Sequence, residues 1–268
     1  KVYLNDGSGS FEVSSLFGET AWKTRNASIA DMNGDGLPDI IVANRSSDPR
    51  SGGTGGSNYI CLNQGDGNFE GECIAFSHYS TTTITPADFN GDGLMDLAVP
   101  HRDGGQSHVF IQRKSLFADL GFRKVPFGPS NASVRASQAA DFNGDGRVDI
   151  VTIDTSRREM RVYYQEADET YTTGIRLGGT SSTPYALLVD DLNGDQRADI
   201  IIGHRQARPI VYFNDGGDSS EGFIAVPFGD ARGAAYGFST GDLNEDGLLD
   251  IAMARSDAPN VLYLSAKP

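Results

Sequence analysis

Apolar residues in this chain gather in short runs of two kinds. One kind is nearly continuous: DIIVA at 39–43, DLAVP at 96–100, DIVTI at 149–153, DIIIG at 199–203 and DIAMA at 250–254. The other alternates: YICLN at 59–63, HVFIQ at 108–112, RVYYQ at 161–165, IVYFN at 210–214 and VLYLS at 261–265. A segment of small residues, such as NASIAD or ASQAAD, precedes each continuous run, and a Gly/Asp/Asn-rich turn leads from the alternating run to Phe69, Phe122, Tyr171 or Phe223. This order predicts four short strands per unit, A to D, and no segment sustains a helical period.

Between strands A and B lies a recurring polar stretch. DMNGDGLPDI begins at Asp31, DFNGDGLMDL at Asp88, DFNGDGRVDI at Asp141, DLNGDQRADI at Asp191 and DLNEDGLLDI at Asp242, with starts 57, 53, 50 and 51 residues apart. A period of this size marks repeated supersecondary units. One four-stranded unit cannot cover both faces of its own sheet, whereas units packed radially can. The expected fold is therefore all-β, a β-propeller of four-stranded blades. Five blades are favoured, the alternative being a six- or seven-bladed ring or a fragment of one. The domain reading is a single propeller over 1–268. Its units are approximately 14–72, 73–126, 127–177, 178–227 and 228–268, the last closed by 1–13 through Phe11–Val13 as a missing D strand.

Charge sharpens the picture. The formal net charge is −14, yet 15 of the 36 acidic residues are the first, fifth and ninth positions of the five motifs, and the other 21 face 22 bases. The overall acidity argues against a nucleic-acid partner, and no apolar run is long enough for membrane insertion. Carboxylates this close repel unless a cation neutralises them. The oxygen donors are Asp31, Asn33, Asp35 and Asp39; Asp88, Asn90, Asp92 and Asp96; Asp141, Asn143, Asp145 and Asp149; Asp191, Asn193, Asp195 and Asp199; Asp242, Asn244, Asp246 and Asp250. With a backbone carbonyl near position seven, each set suits one Ca2+ ion, which accepts six to eight oxygens in irregular geometry. Cys and His are missing from the motifs, which argues against zinc or copper. Gln196 at position six and Glu245 at position four replace glycines, so those two sites are expected to be weaker or distorted. An EF-hand would need a glutamate at position twelve and flanking helices; here an aspartate at nine runs straight into a strand.

The DxNGDGxxD loops, each followed by an apolar strand, together with the N-x-G-D-G-x-F turn at 63–69 and a looser version at 5–11, resemble FG-GAP/VCBS repeats over essentially the whole chain. That resemblance implies the calcium-binding propeller of integrin α-subunits, some fungal lectins and some polysaccharide lyases. It carries about five structural calcium ions but does not dictate an activity.

If the loops occupy one face, the start of A and the end of B meet on the other. Six residues before the motifs stand Arg25, Thr82, Arg135, Tyr185 and Tyr236. Thirteen and fourteen residues after their starts stand Asn44-Arg45, His101-Arg102, Asp154-Thr155, His204-Arg205 and Arg255-Ser256. The expected ligand-binding set is Arg25, Arg45, His101, Arg102, Arg135, Tyr185, His204, Arg205, Tyr236 and Arg255. Guanidinium forks grip carboxylate or sulfate, and tyrosine faces stack on sugar rings. The favoured function is recognition of carbohydrate, an anionic glycan in particular. The alternatives are a polysaccharide lyase, with His101, His204, Tyr185 and Tyr236 as catalytic candidates, and an integrin-like module that adheres to a protein partner. A solvated rim in which Arg pairs with Asp103 or Asp154 is the plainer expectation.

Cys61 and Cys73 flank a hairpin-like turn and are placed for a disulfide. Asn26, Asn44 and Asn131 begin glycosylation triplets. A start at Lys1 fits a processed chain, and together these features lead us to expect a secreted or cell-surface protein.

Overall fold

The structure is a computed structural model that describes residues 1–18, 22–45, 56–71, 73–113, 121–171, 174–178, 182–216 and 222–266. It is all-β, a five-bladed propeller of antiparallel sheets. The first blade is β3 (Thr24–Ala30), β4 (Asp39–Asn44), β5 (Asn58–Cys61) and β6 (Ile74–Ser77). The second is β7 (Thr85–Ala87), β8 (Asp96–Val99), β9 (Gly105–Ile111) and β10 (Arg123–Ala132). The third is β11 (Val134–Ala140), β12 (Asp149–Asp154), β13 (Glu159–Tyr163) and β14 (Gly174–Arg176). The fourth is β15 (Pro184–Asp190), β16 (Asp199–His204), β17 (Ile210–Asn214) and β18 (Phe223–Pro227). The fifth carries three strands among the described residues: β19 (Ala234–Gly241), β20 (Asp250–Ser256) and β21 (Val261–Tyr263).

The continuous apolar runs become the second strand of each blade because that strand is covered on both sides. β4, β12 and β16 are buried at every position. Their alternate side chains face successive blades. Ile41 and Ile60 meet Leu97 and Phe110, and Val151 and Val162 meet Ile200 and Tyr212. Each fully buried aliphatic side chain contributes about 1.5–3 kcal/mol. Blade-to-blade burial is thus the main source of cohesion, supplemented in the first blade by the Cys61–Cys73 disulfide.

The expected closure does not form. β2 (Phe11–Ser15) pairs with β1 (Val2–Asn5) and not with β21, whose described ladder runs to β20 alone. The turn between β1 and β2, with Gly7 and Gly9 at positive φ, makes local pairing cheap compared with closing a loop the length of the chain. The hairpin's own side chains hold it against the first blade. Val2, Phe17 and Trp22 pack on Ile40, Val42 and Phe69, and Ser15 Oγ accepts the Phe69 N–H at 2.9 Å. Trp22 is thus a packing residue, stacked on Tyr59 with centroids 4.1 Å apart.

Candidate functional site

The first four acidic loops repeat one hydrogen-bonding pattern, and the fifth keeps it at Asp246 N and Gly247 N, which donate to Asp242. In the first, both carboxylate oxygens of Asp31 accept loop N–H groups, from Gly34 at 2.8 Å and Gly36 at 2.8 Å, while Asn33 Nδ2 donates to Asp35 at 2.9 Å. The departures in the last two loops keep the backbone path. Gln196 and Glu245 adopt φ of 68° and 61°, the left-handed region that glycine fills elsewhere. Gln196 N still donates to Asp191 Oδ2 at 2.8 Å. The expected distortion is therefore carried as local strain rather than as a different shape.

Position nine does something that the spacing did not reveal. Asp39, Asp96, Asp149, Asp199 and Asp250 are fully buried. In each, Oδ2 accepts the N–H of motif position two and Oδ1 accepts an N–H where the third strand ends, at 2.7–3.0 Å throughout. This aspartate ties the A–B loop to the C strand of its own blade. Burial pushes the Asp96 and Asp149 carboxyls up to about 6.

No group of three acidic, cysteine or histidine side chains converges to hold a metal among the described residues. The chemistry of the donor set nevertheless fits a hard cation. Positions one, three and five offer only oxygen, on exposed loops whose N–H groups they already organise. In the third and fourth loops a guanidinium also neutralises position five, Arg147 on Asp145 and Arg197 on Asp195.

The opposite face brings together five of the ten anticipated side chains, Arg102, Arg135, Arg205, Tyr185 and Tyr236. A β-bulge positions three of them. In the first, third, fourth and fifth blades the A–B register slips at one residue, and the skipped residues are Arg25, Arg135, Tyr185 and Tyr236. A bulge removes a residue from the ladder and re-aims its side chain. The Arg135 guanidinium carbon sits 3.4 Å from the Tyr185 ring centroid and 5.6 Å from that of Tyr236. Arg135 Nε donates to the Tyr185 carbonyl at 2.6 Å. The two tyrosine rings lie 5.0 Å apart, edge to face, and Tyr185 Oη donates to Tyr236 Oη at 3.4 Å. Arg205 approaches Tyr185 from a neighbouring turn, 5.6 Å from its centroid.

Charge and hydrogen bonding couple these side chains. The Tyr185 hydroxyl is desolvated, which opposes ionisation, but the Tyr236 hydrogen bond and the charges of Arg135, Arg205 and Arg102 outweigh this and hold it below the usual tyrosine value. Arg102 is half-buried, donates through Nη1 to Ser133 Oγ at 2.6 Å, and leaves its buried Nε without a hydrogen bond. Arg45 is spent internally, forking onto Asp103 at 3.2 and 2.7 Å, while Ser80 Oγ donates to the same carboxylate. Among the described residues Arg102, Arg135 and Arg205 form no ion pair, unlike Arg45 and Arg255.

Other anticipated residues lie outside the cluster. His204 is only 2% exposed and its Nδ1 meets the Arg208 carbonyl at 3.0 Å, so it is a core histidine and not a rim ligand or catalyst. Arg255 is committed to Asp230 and the Pro259 carbonyl, each at 2.7 Å. Arg25 is exposed on β3. His101 packs against Tyr79, which contacts His108 Nδ1 through its hydroxyl at 3.2 Å; that trio escaped notice because Tyr79 lies outside the repeated positions. Asp154 binds Arg157 instead of a rim arginine. Asn44 is buried and its side chain bonds Thr24 and Ser57, so its triplet is closed to a glycan in the folded chain, whereas Asn26 and Asn131 are exposed.

Comparison with known proteins agrees with this architecture. The model of the FG-GAP-like repeat matches residues 1–42, 46–99, 141–202 and 191–253, and the chain belongs to that family. Repeats of the integrin type in this family are generally calcium-binding. Human phosphatidylinositol-glycan-specific phospholipase D is 30% identical over 173 residues, covering 53% of this chain and 20% of its own length. Integrin alpha-PS3 of Drosophila melanogaster is 31% identical over 101 residues, covering 36% of this chain and 9% of its own. This chain thus spans a fifth or less of either relative. Among solved structures, a lectin from Agrocybe aegerita that recognises non-reducing terminal N-acetylglucosamine shares the fold, with a TM-score of 0.53, 20% identity and coverage of 87% of this chain and 61% of that one.

Proposed function

We propose that this protein is a secreted or cell-surface propeller, stabilised by calcium at its acidic loops, that binds carbohydrate bearing anionic groups through the cluster of Arg102, Arg135, Arg205, Tyr185 and Tyr236. The observation that carries this is the three guanidiniums that form no ion pair among the described residues, grouped around a tyrosine pair in a chain of net charge −14. Leaving such groups free of internal anions costs desolvation, which an incoming carboxylate or sulfate would offset. Tyrosine rings beside them supply faces for sugar stacking. The lectin relative in fold supports a carbohydrate partner in kind, not its identity.

Bound calcium would neutralise positions one, three and five of each loop and convert its binding energy into folding energy. The sites named are those of the five motifs, with position nine serving first as the internal tie described above.

The test is titration with polygalacturonate, alginate and a neutral polymer of similar size, in calcium at constant ionic strength. Saturable binding of the acidic polymers, weakened at least tenfold in Arg135→Ala, is expected; equal binding of the neutral polymer would overturn the anionic preference. A second reading, β-elimination on a uronate, is favoured by Tyr185, whose hydroxyl is held below the usual tyrosine value by neighbouring arginines: its phenolate form would take the proton while the arginines neutralise the sugar carboxylate. Growth of unsaturated-uronate absorbance on incubation, lost in Tyr185→Phe, would decide for it, and binding without such growth would remove it.

A further inference from the structure

Position seven of the acidic loops divides the blades. The first, second and fifth loops carry Leu37, Leu94 and Leu248 there, whereas the third and fourth carry Arg147 and Arg197. The backbone is the same in all five: the N–H of position seven donates to Oδ1 of position five at 2.8–2.9 Å. In every loop the asparagine of position three also donates to Oδ2 of position five, at 2.9–3.1 Å. The arginine side chain is what the third and fourth loops add. Arg147 Nη2 donates to Asp145 Oδ2, and Arg197 Nη2 donates to Asp195 Oδ2 at 2.7 Å.

Each guanidinium is anchored at a second point. Arg147 Nε donates to the Gln165 carbonyl and Arg197 Nε to the Asn214 carbonyl, each at 2.8 Å. Gln165 and Asn214 are the same residues whose N–H groups bind the ninth aspartate of those loops. The arginine thus ties the outer part of the loop to the strand end where the ninth aspartate ties its base. Held at two points, its charge stays on position five. Among the described residues no Lys or Arg forms an ion pair with the carboxylates of the first and second loops.

We propose that Arg147 and Arg197 are built-in counter-ions that split the calcium loops into two classes: those of the third and fourth blades bind the ion more weakly than those of the first and second, and hold their shape without it. The inference rests on the calcium reading above. Calcium affinity of an oxygen site follows the charge of its ligands and its rigidity. Positions one, five and nine supply three carboxylates to each loop, and in the third and fourth a guanidinium already cancels one of them. An entering ion there also meets a positive charge in contact with one of its ligands, far inside a Debye length. Without metal, the same pair relieves the repulsion that the first two loops must bear. Arg135 and Tyr185 stand on the third and fourth blades, so the anion-binding cluster is built on the part of the propeller that depends least on calcium.

Hydrogen exchange read by mass spectrometry decides it, on metal-stripped protein over a series of buffered calcium concentrations, followed at 31–39, 88–96, 141–149 and 191–199. Half-protection of the third and fourth loops should need roughly tenfold more calcium than that of the first and second, and in chelator their exchange should be slower. Arg147→Leu installs the residue of the first two loops. It should lower the half-point of the third loop roughly tenfold and leave that of the fourth unchanged. Leu94→Arg should raise the half-point of the second loop, an effect that mere loosening of the third blade cannot produce. Coincident half-points in the parent chain, or a third loop unmoved in Arg147→Leu, overturn the proposal. Calorimetry tells this from failure of the calcium reading itself: stripped protein that takes up no calcium removes both, and uptake with coincident half-points removes this inference alone.

Discussion

Arg135 and Tyr185 hold each other by two different contacts at once: the guanidinium lies 3.4 Å from the ring centroid, and Nε donates to the carbonyl of the same tyrosine at 2.6 Å. The side chain is thereby fixed with its charge retained, and it forms no ion pair among the described residues. A flat, stacked cation of this kind is not replaceable by an ammonium. Arg135→Lys should weaken binding of acidic polymer nearly as much as Arg135→Ala, by about 1–2 kcal/mol. Calorimetric titration checks this, and full affinity in the lysine variant would contradict it.

Asp103 neutralises Arg45 on the same face. Asp103→Asn should release that guanidinium and strengthen binding of acidic polymers, with the larger gain at low salt. Weaker binding would mean that Asp103 positions Arg45 for the ligand instead of competing with it.

Positions five and nine of the loops should separate under chelation. Asp149 answers two backbone N–H groups in a fully buried place, so Asp149→Ala should cost about 2–5 kcal/mol with or without calcium. Asp145 lies in the outer part of the loop against Arg147, and Asp145→Asn should cost clearly more with calcium present than without it. Chelator should lower the melting temperature of the parent chain sharply. Urea unfolding of both variants in calcium and in chelator measures all of this; an unchanged melt in metal-free protein would end the structural role of the ions.

Gln196 and Glu245 hold left-handed backbone where the first three loops have glycine. Gln196→Gly and Glu245→Gly should each stabilise the protein by about 1 kcal/mol. Thermal melts at fixed calcium would show it, and a loss of stability would mean that these side chains earn contacts of their own.

Burial depresses the His204 imidazole, so the unfolded chain takes up that proton first as pH falls. The histidine's contribution to stability is complete above its ordinary value near 6.5 and is lost as pH falls through the folded value. Asp96 and Asp149 act with the opposite sign: raised to about 6, they favour the fold most below the ordinary aspartate range and lose that contribution as pH rises through 6. The histidine part is therefore read as a difference. The stability gap between the parent and His204→Gln should shrink between pH 7.5 and 5, and a constant gap would exclude the assignment.

The fold was readable from sequence because the motif spacing repeats a whole blade, and the rim was half readable because its positions keep fixed offsets from Asp31, Asp88, Asp141, Asp191 and Asp242. What separates Arg205 from Arg45, which share one offset, is not written there. Arg45 is occupied by Asp103 whereas Arg205 approaches the Tyr185 ring, and the register slip that re-aims Arg135 and Tyr185 leaves no mark in the spacing either. The tie made by the ninth aspartate was hidden for the same reason, since its second partner comes from a distant strand end. Strand supply at Phe11–Val13 failed because composition describes what a strand can pair with, not which partner lies nearest.

The register slip also sets the terms on which such a surface can diversify. In four blades the residue displayed there belongs to no ladder. Exchanging it for a cation, an aromatic or a hydroxyl removes no ladder hydrogen bond from the blade. What such a station displays and what holds the blade together are therefore set by different residues.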